Sequence, residues 1–214
     1  MSDGERWGRY YNAVAAKPPR PTLLDALDRF AAEGVPSPNA PPPFALDLGC
    51  GDGRDTVELL RRGWRVLAVD ATAEAIERLL ARPDLPKGDL PEGALLETRV
   101  VRFEDFQPPP CELVNASFSL PLCAPDHFPA LWARLTAAIR PGGRFAGQLY
   151  GPRDDWAGRG ITIHDRAAIE RLCAGFRVEM LDETVEDGAT ALGKSKRWHI
   201  YHLVLAKLSA CTFN

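Results

Sequence analysis

Three glycines at every second position, Gly49, Gly51 and Gly53, follow a short apolar run and constrain the fold of this chain more than any other feature. Residues 44–48 (FALDL) predict a buried strand, and a helical run begins at Asp55. Glycine has no Cβ and adopts positive φ without strain, so such a turn lets a ligand lie against the backbone. The free N–H groups of the helix start would attract a carboxylate or a phosphate. The stretch therefore predicts a strand, a ligand-binding turn and a helix.

The spacing of these glycines separates two classes of ligand. Dinucleotide-binding turns carry G-x-G-x-x-G, whereas this turn is G-x-G-x-G with an acid two residues before the first glycine. The octet LDLGCGDG at residues 46–53 resembles the first motif of class I S-adenosylmethionine-dependent methyltransferases. The resemblance implies that the methionine part of this cofactor is held by four residues, Asp47, Gly49, Cys50 and Gly51. A glycine-rich turn that binds no ligand is the simpler alternative.

A second apolar run, at residues 64–70, ends in an acid that lies 17 residues after Gly53. This distance is close to the roughly 20 residues expected for a ribose-binding carboxylate in such a unit. Two carboxylate oxygens can accept hydrogen bonds from two vicinal ribose hydroxyls. Asp70, followed by Ala71, is therefore a second candidate cofactor contact, and a surface aspartate is the alternative.

Two further strands are predicted at residues 95–102 and 111–119. In the methyltransferases that the turn resembles, an acid after the third strand accepts the adenine amino group. Here that position holds Arg102 or Phe103, so the resemblance implies Glu104, with Phe103 packing on the base; an ordinary solvated turn acid is the alternative. A central parallel strand is normally apolar throughout, so the small and polar end of the fourth strand predicts cofactor contacts at Asn115, Ala116, Ser117 and Phe118.

Residues 1–43 are expected to form an N-terminal arm and a helix that cover the cofactor site. The arm carries three aromatic residues, which normally cover a surface, and the apolar spacing at 21–34 predicts a helix with Thr22 as its cap. In the methyltransferase interpretation, Tyr11 and Arg20 are candidate contacts for the ends of the cofactor. Packing of the aromatic residues on the protein's own surface is the alternative.

The rest of the chain continues this alternation of strands and helices. The pattern predicts a helix, a Pro-Gly-Gly turn and three more strands, at residues 126–138, 141–143, 144–150, 176–181 and 198–205. Residues 183–197 are expected to connect the last two strands. The resemblance implies a Rossmann-like α/β fold, in which a seven-stranded, mostly parallel sheet has an antiparallel last strand and helices on both faces.

Residues 44–214 are expected to be one methyltransferase domain, and the whole chain a single globular unit. The pattern resembles the small-molecule methyltransferases of bacteria, in particular a group related to the tellurite-resistance methyltransferase.

The acceptor is expected beyond the carboxyl ends of the strands. The charged loop after the fifth strand is the natural lid, and it contains Asp155 and Trp156. An antiparallel last strand would bring its first residues, Trp198 and His199, to the same edge. The predicted catalytic residues are therefore Asp155, Trp156 and His199. If the nucleophile carries a proton, His199, His164 and Asp155 are alternative bases.

Composition excludes several other classes of function. The chain has 26 basic and 29 acidic residues and a net charge of −3, so we expect no basic surface for nucleic acid. No apolar run of about 18 residues and no signal-peptide pattern occurs, which predicts a cytoplasmic protein that does not bind membranes. The five cysteines lack metal-ligand spacing, so no metal site is predicted.

The sequence therefore predicts methyl transfer from S-adenosylmethionine to a small-molecule acceptor. The sulfonium already makes the methyl group electrophilic, so the enzyme must chiefly position the reactants. A non-catalytic protein that binds an adenosyl ligand on the same fold is the alternative. A nicotinamide-dependent oxidoreductase is disfavoured by the glycine spacing.

Overall fold

The computed structural model describes residues 3–14, 17–86 and 95–209. The strands of this part of the chain are β1 (Phe44–Leu48), β2 (Arg65–Asp70), β3 (Leu96–Val100), β4 (Cys111–Ala116), β5 (Ile139–Tyr150), β6 (Phe176–Ala189) and β7 (Ser195–Lys207). The helices are α1 (Asp3–Val14), α2 (Pro21–Ala32), α3 (Arg54–Arg61), α4 (Ala73–Leu80), α5 (Phe128–Ala138) and α6 (Arg166–Leu172). Within these residues, no helix is long and apolar enough to cross a bilayer.

One sheet contains all seven strands, in the order β3-β2-β1-β4-β5-β7-β6. Strands β1 to β5 pair in parallel, and β7 is antiparallel to both β5 and β6. This topology confirms the predicted Rossmann-like α/β fold. The strand order reverses between β1 and β4, and in open parallel sheets such a reversal opens a crevice at the carboxyl ends of the strands.

Helices cover both faces of the sheet, as predicted. On one face, Leu23, Leu27 and Phe30 of α2 are buried with Leu59 and Leu60 of α3. On the other face, the core contains apolar side chains from α5 and α6, namely Leu131, Trp132, Leu135 and Ile169. Because both faces are covered, the central strands are apolar almost throughout, and the buried polar groups at their carboxyl ends stand out.

The connection between the last two strands is much shorter than predicted. Strands β6 and β7 pair from Phe176↔Lys207 to Ala189↔Ser195, so the turn lies between residues 189 and 195 rather than over 183–197. This end of the hairpin projects beyond its neighbours and is largely exposed on both sides. Because both sides of this end largely face solvent, its sequence is polar and shows no alternation of apolar and polar residues. The sequence pattern therefore resembled that of a loop.

The start of α2 also differs from the prediction. Thr22 is buried and accepts a hydrogen bond from Gln148 Nε2 (2.8 Å), while Arg20 occupies the cap position without a side-chain cap bond. Thr22 thus ties the helix to β5 instead of capping it. The division into an arm at 1–43 and a domain at 44–214 remains a prediction, and residues 1–2, 15–16, 87–94 and 210–214 lie outside the described residues.

Candidate active site

The glycine turn follows β1 directly and bends into α3 with positive φ at each of its three glycines. A Cβ at Gly49 would lie 2.4 Å from the Cβ of Ser119, so the protein itself fills that space. At Gly51, with φ of 56°, a Cβ would lie 3.2 Å from Cε1 of Tyr11, on the side that faces a cavity. Gly49 and Gly53 are therefore glycines because of internal packing, whereas room for a ligand at Gly51, which lines the cavity beside Tyr11, stays a prediction.

Behind the turn, two buried carboxylates share one amide. Asn115 Nδ2 donates to Asp47 Oδ1 (2.9 Å) and to Asp55 Oδ2 (3.2 Å), and Thr56 Oγ1 donates to Asp47 Oδ2 (2.5 Å). Burial, and then the charge of Asp55, raise the pKa of Asp47 to about 7. A cation placed beside this pair would favour the charged form of Asp47.

Asp70, at the end of β2, holds the glycine turn in place. Its Oδ2 accepts from the Gly51 N–H (3.1 Å), and its Oδ1 accepts from both the N–H and the hydroxyl of Thr72 (3.0 Å each). Thr72 in turn caps α4. Asp70 is therefore next to the turn as predicted, and its carboxylate also fixes the backbone of Gly51; the following Ala71 is exposed.

A small cavity of about 50 Å³ lies at this edge of the sheet. Six of the predicted cofactor contacts line it, namely Tyr11, Asp47, Gly49, Cys50, Gly51 and Ser117. Asp55, Asp52, Arg54 and Val14 also line it and were not predicted. Asp55 could have been found, because it is an acid in the first turn of the helix that follows the glycine turn. Burial raises the pKa values of Tyr11 and Cys50, which keeps both groups neutral.

The loop after β3 lies beside the turn. The ring of Phe103 lies 3.6 Å from the place where a Cβ at Gly49 would be. Glu104 makes an ion pair with Arg102 (Nε to Oε2, 3.3 Å), and the backbone carbonyls of both Phe103 and Glu104 accept from Arg134 of α5. Phe103 is thus next to the glycine turn, and the adenine contacts predicted for Phe103 and Glu104 stay predictions.

Phe118 adopts a backbone conformation that is rare for a bulky residue, with φ of 57°. Its N–H donates to Gln148 Oε1 (3.0 Å), and the guanidinium of Arg20 lies 4.3 Å from its ring centroid. The Arg20 N–H donates to Asp55 Oδ1 (3.0 Å), so this arginine joins the acid pair to the aromatic ring. Backbone strain of this kind clusters at functional sites, which makes Phe118 a candidate functional residue.

The predicted lid loop closes on a buried cation. The Lys196 ammonium is 3.4 Å from the ring centroid of Trp198, 4.1 Å from that of Trp156 and 4.8 Å from that of Tyr150. It also contacts both carboxylate oxygens of Asp154 (2.6 and 2.7 Å). We call these five residues the lysine box. The Tyr150 ring lies 6.2 Å from the Phe118 ring, so the box continues the aromatic wall that Phe118 begins.

His199 lies on the opposite face of β7 from Trp198. The Arg153 N–H donates to His199 Nδ1 (3.1 Å), so Nε2 carries the ring proton and donates to Glu183 Oε1 (2.9 Å). The ring is 2% exposed and packs under Gly151. The expectation that Trp198 and His199 share one pocket is wrong, because successive residues of a strand point to opposite faces. His199 has no free nitrogen for a substrate proton.

The other predicted lid residue, Asp155, accepts from the Arg197 N–H (2.7 Å) and lies at the surface. It joins the loop to the hairpin rather than lining the cavity.

Comparison with known proteins agrees with this geometry. A family model described as a methyltransferase domain matches residues 45–143. A carboxy-S-adenosyl-L-methionine synthase of Pseudomonas fluorescens (strain Pf0-1) is 34% identical over 134 residues, which cover 59% of this chain and 51% of that protein. The chain thus spans about half the length of the curated relatives it matches.

Two solved structures share the fold. TehB from Haemophilus influenzae has a TM-score of 0.71 at 13% identity and covers 92% of this chain and 65% of its own. Magnesium protoporphyrin IX methyltransferase from Synechocystis PCC 6803, solved with bound S-adenosylhomocysteine, has a TM-score of 0.66 at 14% identity, with 96% and 95% of the chains covered. The described chain therefore has the fold of these methyltransferases, and its residues 45–143 are similar to a methyltransferase domain.

Proposed function

We propose that this protein transfers the methyl group of S-adenosylmethionine to a small-molecule acceptor. The observation that carries the proposal is the cavity that Gly51 lines together with the carboxylates of Asp47 and Asp55. When bound, S-adenosylmethionine supplies a methyl group made electrophilic by a positively charged sulfur, and it also carries an ammonium group. Two carboxylates behind a glycine turn suit such a cation.

Each part of the site has a task in this proposal. Asp47 and Asp55 attract the cationic part of the cofactor, and Arg20 offers a guanidinium to its carboxylate. Asp70 holds the Gly51 turn and faces the ribose. The adenine lies between the turn and the loop of Phe103 and Glu104, and the methionine part lies along the end of β4, at Asn115, Ala116, Ser117 and Phe118. Holding the reactants in line supplies several kcal/mol of the barrier reduction.

The acceptor binds beyond Ser117, against the rings of Phe118 and Tyr150. The Phe118 and Tyr150 rings lie 6.2 Å apart, and Trp156 extends this aromatic surface, with its ring 5.8 Å from that of Tyr150. An aromatic surface suits a small, partly apolar acceptor rather than a polymer. The net charge of −3 also speaks against nucleic acid, and the cytoplasmic location remains a prediction.

The curated relatives support a second candidate. They are named for making carboxy-S-adenosyl-L-methionine, and the similarity extends over more than half of this chain. That activity belongs to proteins about twice as long as the matched region, so it is carried to this chain as an alternative only.

One assay separates the two candidates. The purified protein is incubated with S-adenosylmethionine and a panel of phenols, amines, thiols and N-heterocycles, and the nucleoside products are measured by mass spectrometry. We expect S-adenosylhomocysteine together with a methylated acceptor. Carboxy-S-adenosyl-L-methionine among the products would favour the second candidate. Calorimetry in the absence of acceptor measures the binding of S-adenosylmethionine and, separately, of NADH. Binding of NADH but not of S-adenosylmethionine would overturn both proposals.

A further inference from the structure

Three of the four histidines occupy positions that do not suit a residue accepting a proton from the acceptor. His199 has both ring nitrogens in hydrogen bonds. His164 packs against Phe128 at 4.6 Å, and burial lowers its pKa to about 4. His127 is exposed beside the start of α5. The fourth, His202, was not singled out by its sequence context.

His202 lies on the face of β7 that Trp198 shares, since the two residues are four positions apart in one strand. It pairs with Gln148 of β5, whose side chain binds Thr22 and the N–H of Phe118. The His202 ring is edge-on to the Phe118 ring, with 6.4 Å between the centroids. The strained Phe118 therefore lies beside a partly exposed imidazole and directly follows Ser117, which lines the cavity.

We propose that His202 is the general base of this enzyme, and that the acceptor is a small aromatic ring whose nucleophile arrives protonated, as a hydroxyl or a ring N–H. The proposal rests on the function proposed above. As the bond from the nucleophile to the methyl carbon forms, the carbon–sulfur bond breaks and its electron pair stays on sulfur. The proton of the nucleophile passes to a ring nitrogen of His202 and then to water. The neutral sulfur product and the methylated acceptor leave.

The charges around His202 suit a base that is neutral at rest. Asp182 and Glu186 of β6 face it from one side, and Arg20, before α2, faces it from the other. The two acids favour the imidazolium, whereas burial and Arg20 favour the neutral ring, and burial is the largest of these effects. A histidine whose pKa lies below its ordinary value of about 6.5 is unprotonated at neutral pH. After proton transfer, the two carboxylates are close enough to stabilise the imidazolium.

The aromatic surroundings select the class of acceptor. A flat ring can pack against Phe118 and Tyr150 while its edge meets His202. A nucleophile without a proton, such as a tertiary amine or a thioether, would need no base. The structure thus favours phenol-like and azole-like acceptors among small molecules.

The ligand-free protein gives the first test. Histidine side-chain NMR titration, with resonances assigned by His→Gln variants, should show His202 titrating below pH 6.5. Addition of S-adenosylhomocysteine and phenol should shift the His202 resonance and leave that of the exposed His127 in place. A His202 that is protonated at pH 7, or that phenol does not affect, would overturn the assignment.

Kinetics with His202→Gln gives the second test, with His127→Gln as the matched control. We expect turnover of a phenol or azole acceptor to fall by about 100-fold or more in His202→Gln, with loss of the acidic limb of the pH profile and partial rescue by added imidazole. Thermal unfolding and the dissociation constant for S-adenosylmethionine should stay close to those of the wild type. His127→Gln should behave as the wild type in every measurement.

The outcomes separate the two proposals. Failure of the wild type to bind S-adenosylmethionine removes the proposed function. Wild-type protein that binds the cofactor but methylates only acceptors without a proton, or no phenol or azole at all, overturns the acceptor class. Unchanged turnover and pH profile in His202→Gln overturn the base, while methyl transfer itself stands.

Discussion

The ammonium of Lys196 lies 2.6 Å from Asp154 Oδ1, and the side chains of the pair are 2% and 0% exposed. A buried charge is costly unless it is paired and hydrogen-bonded, and here Asp154 also accepts from the backbone N–H groups of Trp156 (2.9 Å) and His199 (3.2 Å). Burial lowers the pKa of Lys196, and Asp154 opposes that shift. The pair therefore joins the loop after β5 to the start of β7.

Replacement of Lys196 by methionine should reduce the free energy of unfolding by about 3–5 kcal/mol, because Asp154 would remain buried without its partner. Lys194→Met, two residues away on the exposed hairpin turn, should change it by less than about 0.5 kcal/mol. Urea unfolding of both variants measures the difference. Asp154→Asn combined with Lys196→Met should recover part of the loss, and no recovery would show that the box is not held by charge.

The same substitution should affect the acceptor more than the cofactor. Trp156 and Tyr150 both contact the Lys196 ammonium, so in Lys196→Met their rings lose the cation that they share. We expect the KM for the acceptor to rise several-fold, while calorimetry gives a dissociation constant for S-adenosylmethionine within twofold of the wild type. The buried pair of Arg144 and Glu179 is the control, since Arg144 and Tyr150 stand at opposite ends of the pairing between β5 and β7. Glu179→Gln should destabilise the protein without changing this KM.

Replacement of Asp70 by alanine should weaken cofactor binding by about 1–3 kcal/mol. The variant loses the carboxylate that we propose binds the ribose, and it also releases the Gly51 N–H that this carboxylate holds. Asp187→Ala is the control, because it removes an acid from the exposed hairpin and so gives the same net charge as Asp70→Ala. Calorimetry should find the Asp187 variant unchanged. Equal affinities in both variants would remove Asp70 from the site.

Gly51→Val should abolish cofactor binding and leave a recognisable fold. The new side chain points toward Tyr11 and the cavity, and the backbone φ of 56° is strained for a β-branched residue. Gly142→Val is a matched control, because its φ of 80° imposes a similar penalty while nothing lies within 4 Å of its Cβ. Circular dichroism and calorimetry are measured on both. Binding retained in Gly51→Val would make the turn purely structural.

The fold could be predicted from local patterns because β1, β2 and β4 are short apolar runs that each end at a turn signal or a polar group. The glycine turn and Asp70 were predictable for the same reason, since spacing alone brings Gly51 and Asp70 to one sheet edge. Their hydrogen bond of 3.1 Å is the direct result.

The acceptor side could not be predicted in the same way. Which face of the sheet His199 and His202 each occupy depends on the register of β7, and a shift of one residue reverses every side chain. The polar sequence of the hairpin did not show where β7 begins. Trp198 and His199 were therefore predicted to lie at the start of the strand, at the same edge of the sheet. Lys196 and Asp154 are 42 residues apart and meet only through the tertiary fold, so no local pattern indicates their buried pair.

Asp47 should give the protein a specific pH dependence. Burial and Asp55 raise its pKa from 3.8 to about 7, so the folded protein binds this proton more tightly than the unfolded chain does. Stability that Asp47 contributes is therefore greatest at low pH and falls as pH rises from about 4 to about 7. At about 1.4 kcal/mol per pKa unit, the fall is up to about 4 kcal/mol.

Asp47→Asn isolates this effect, because an amide does not titrate and still fits between Thr56 and Asn115. The free energy of unfolding of the wild type, minus that of the variant, should decrease between pH 4 and pH 7 and be constant above pH 8. Cofactor binding gives the complementary signal, since a cation beside Asp47 favours its charged form. Calorimetry at pH 7 in buffers of different ionisation enthalpy should show proton release on binding S-adenosylmethionine in the wild type and less in the variant. Equal proton release in both would mean that the cation does not bind beside Asp47.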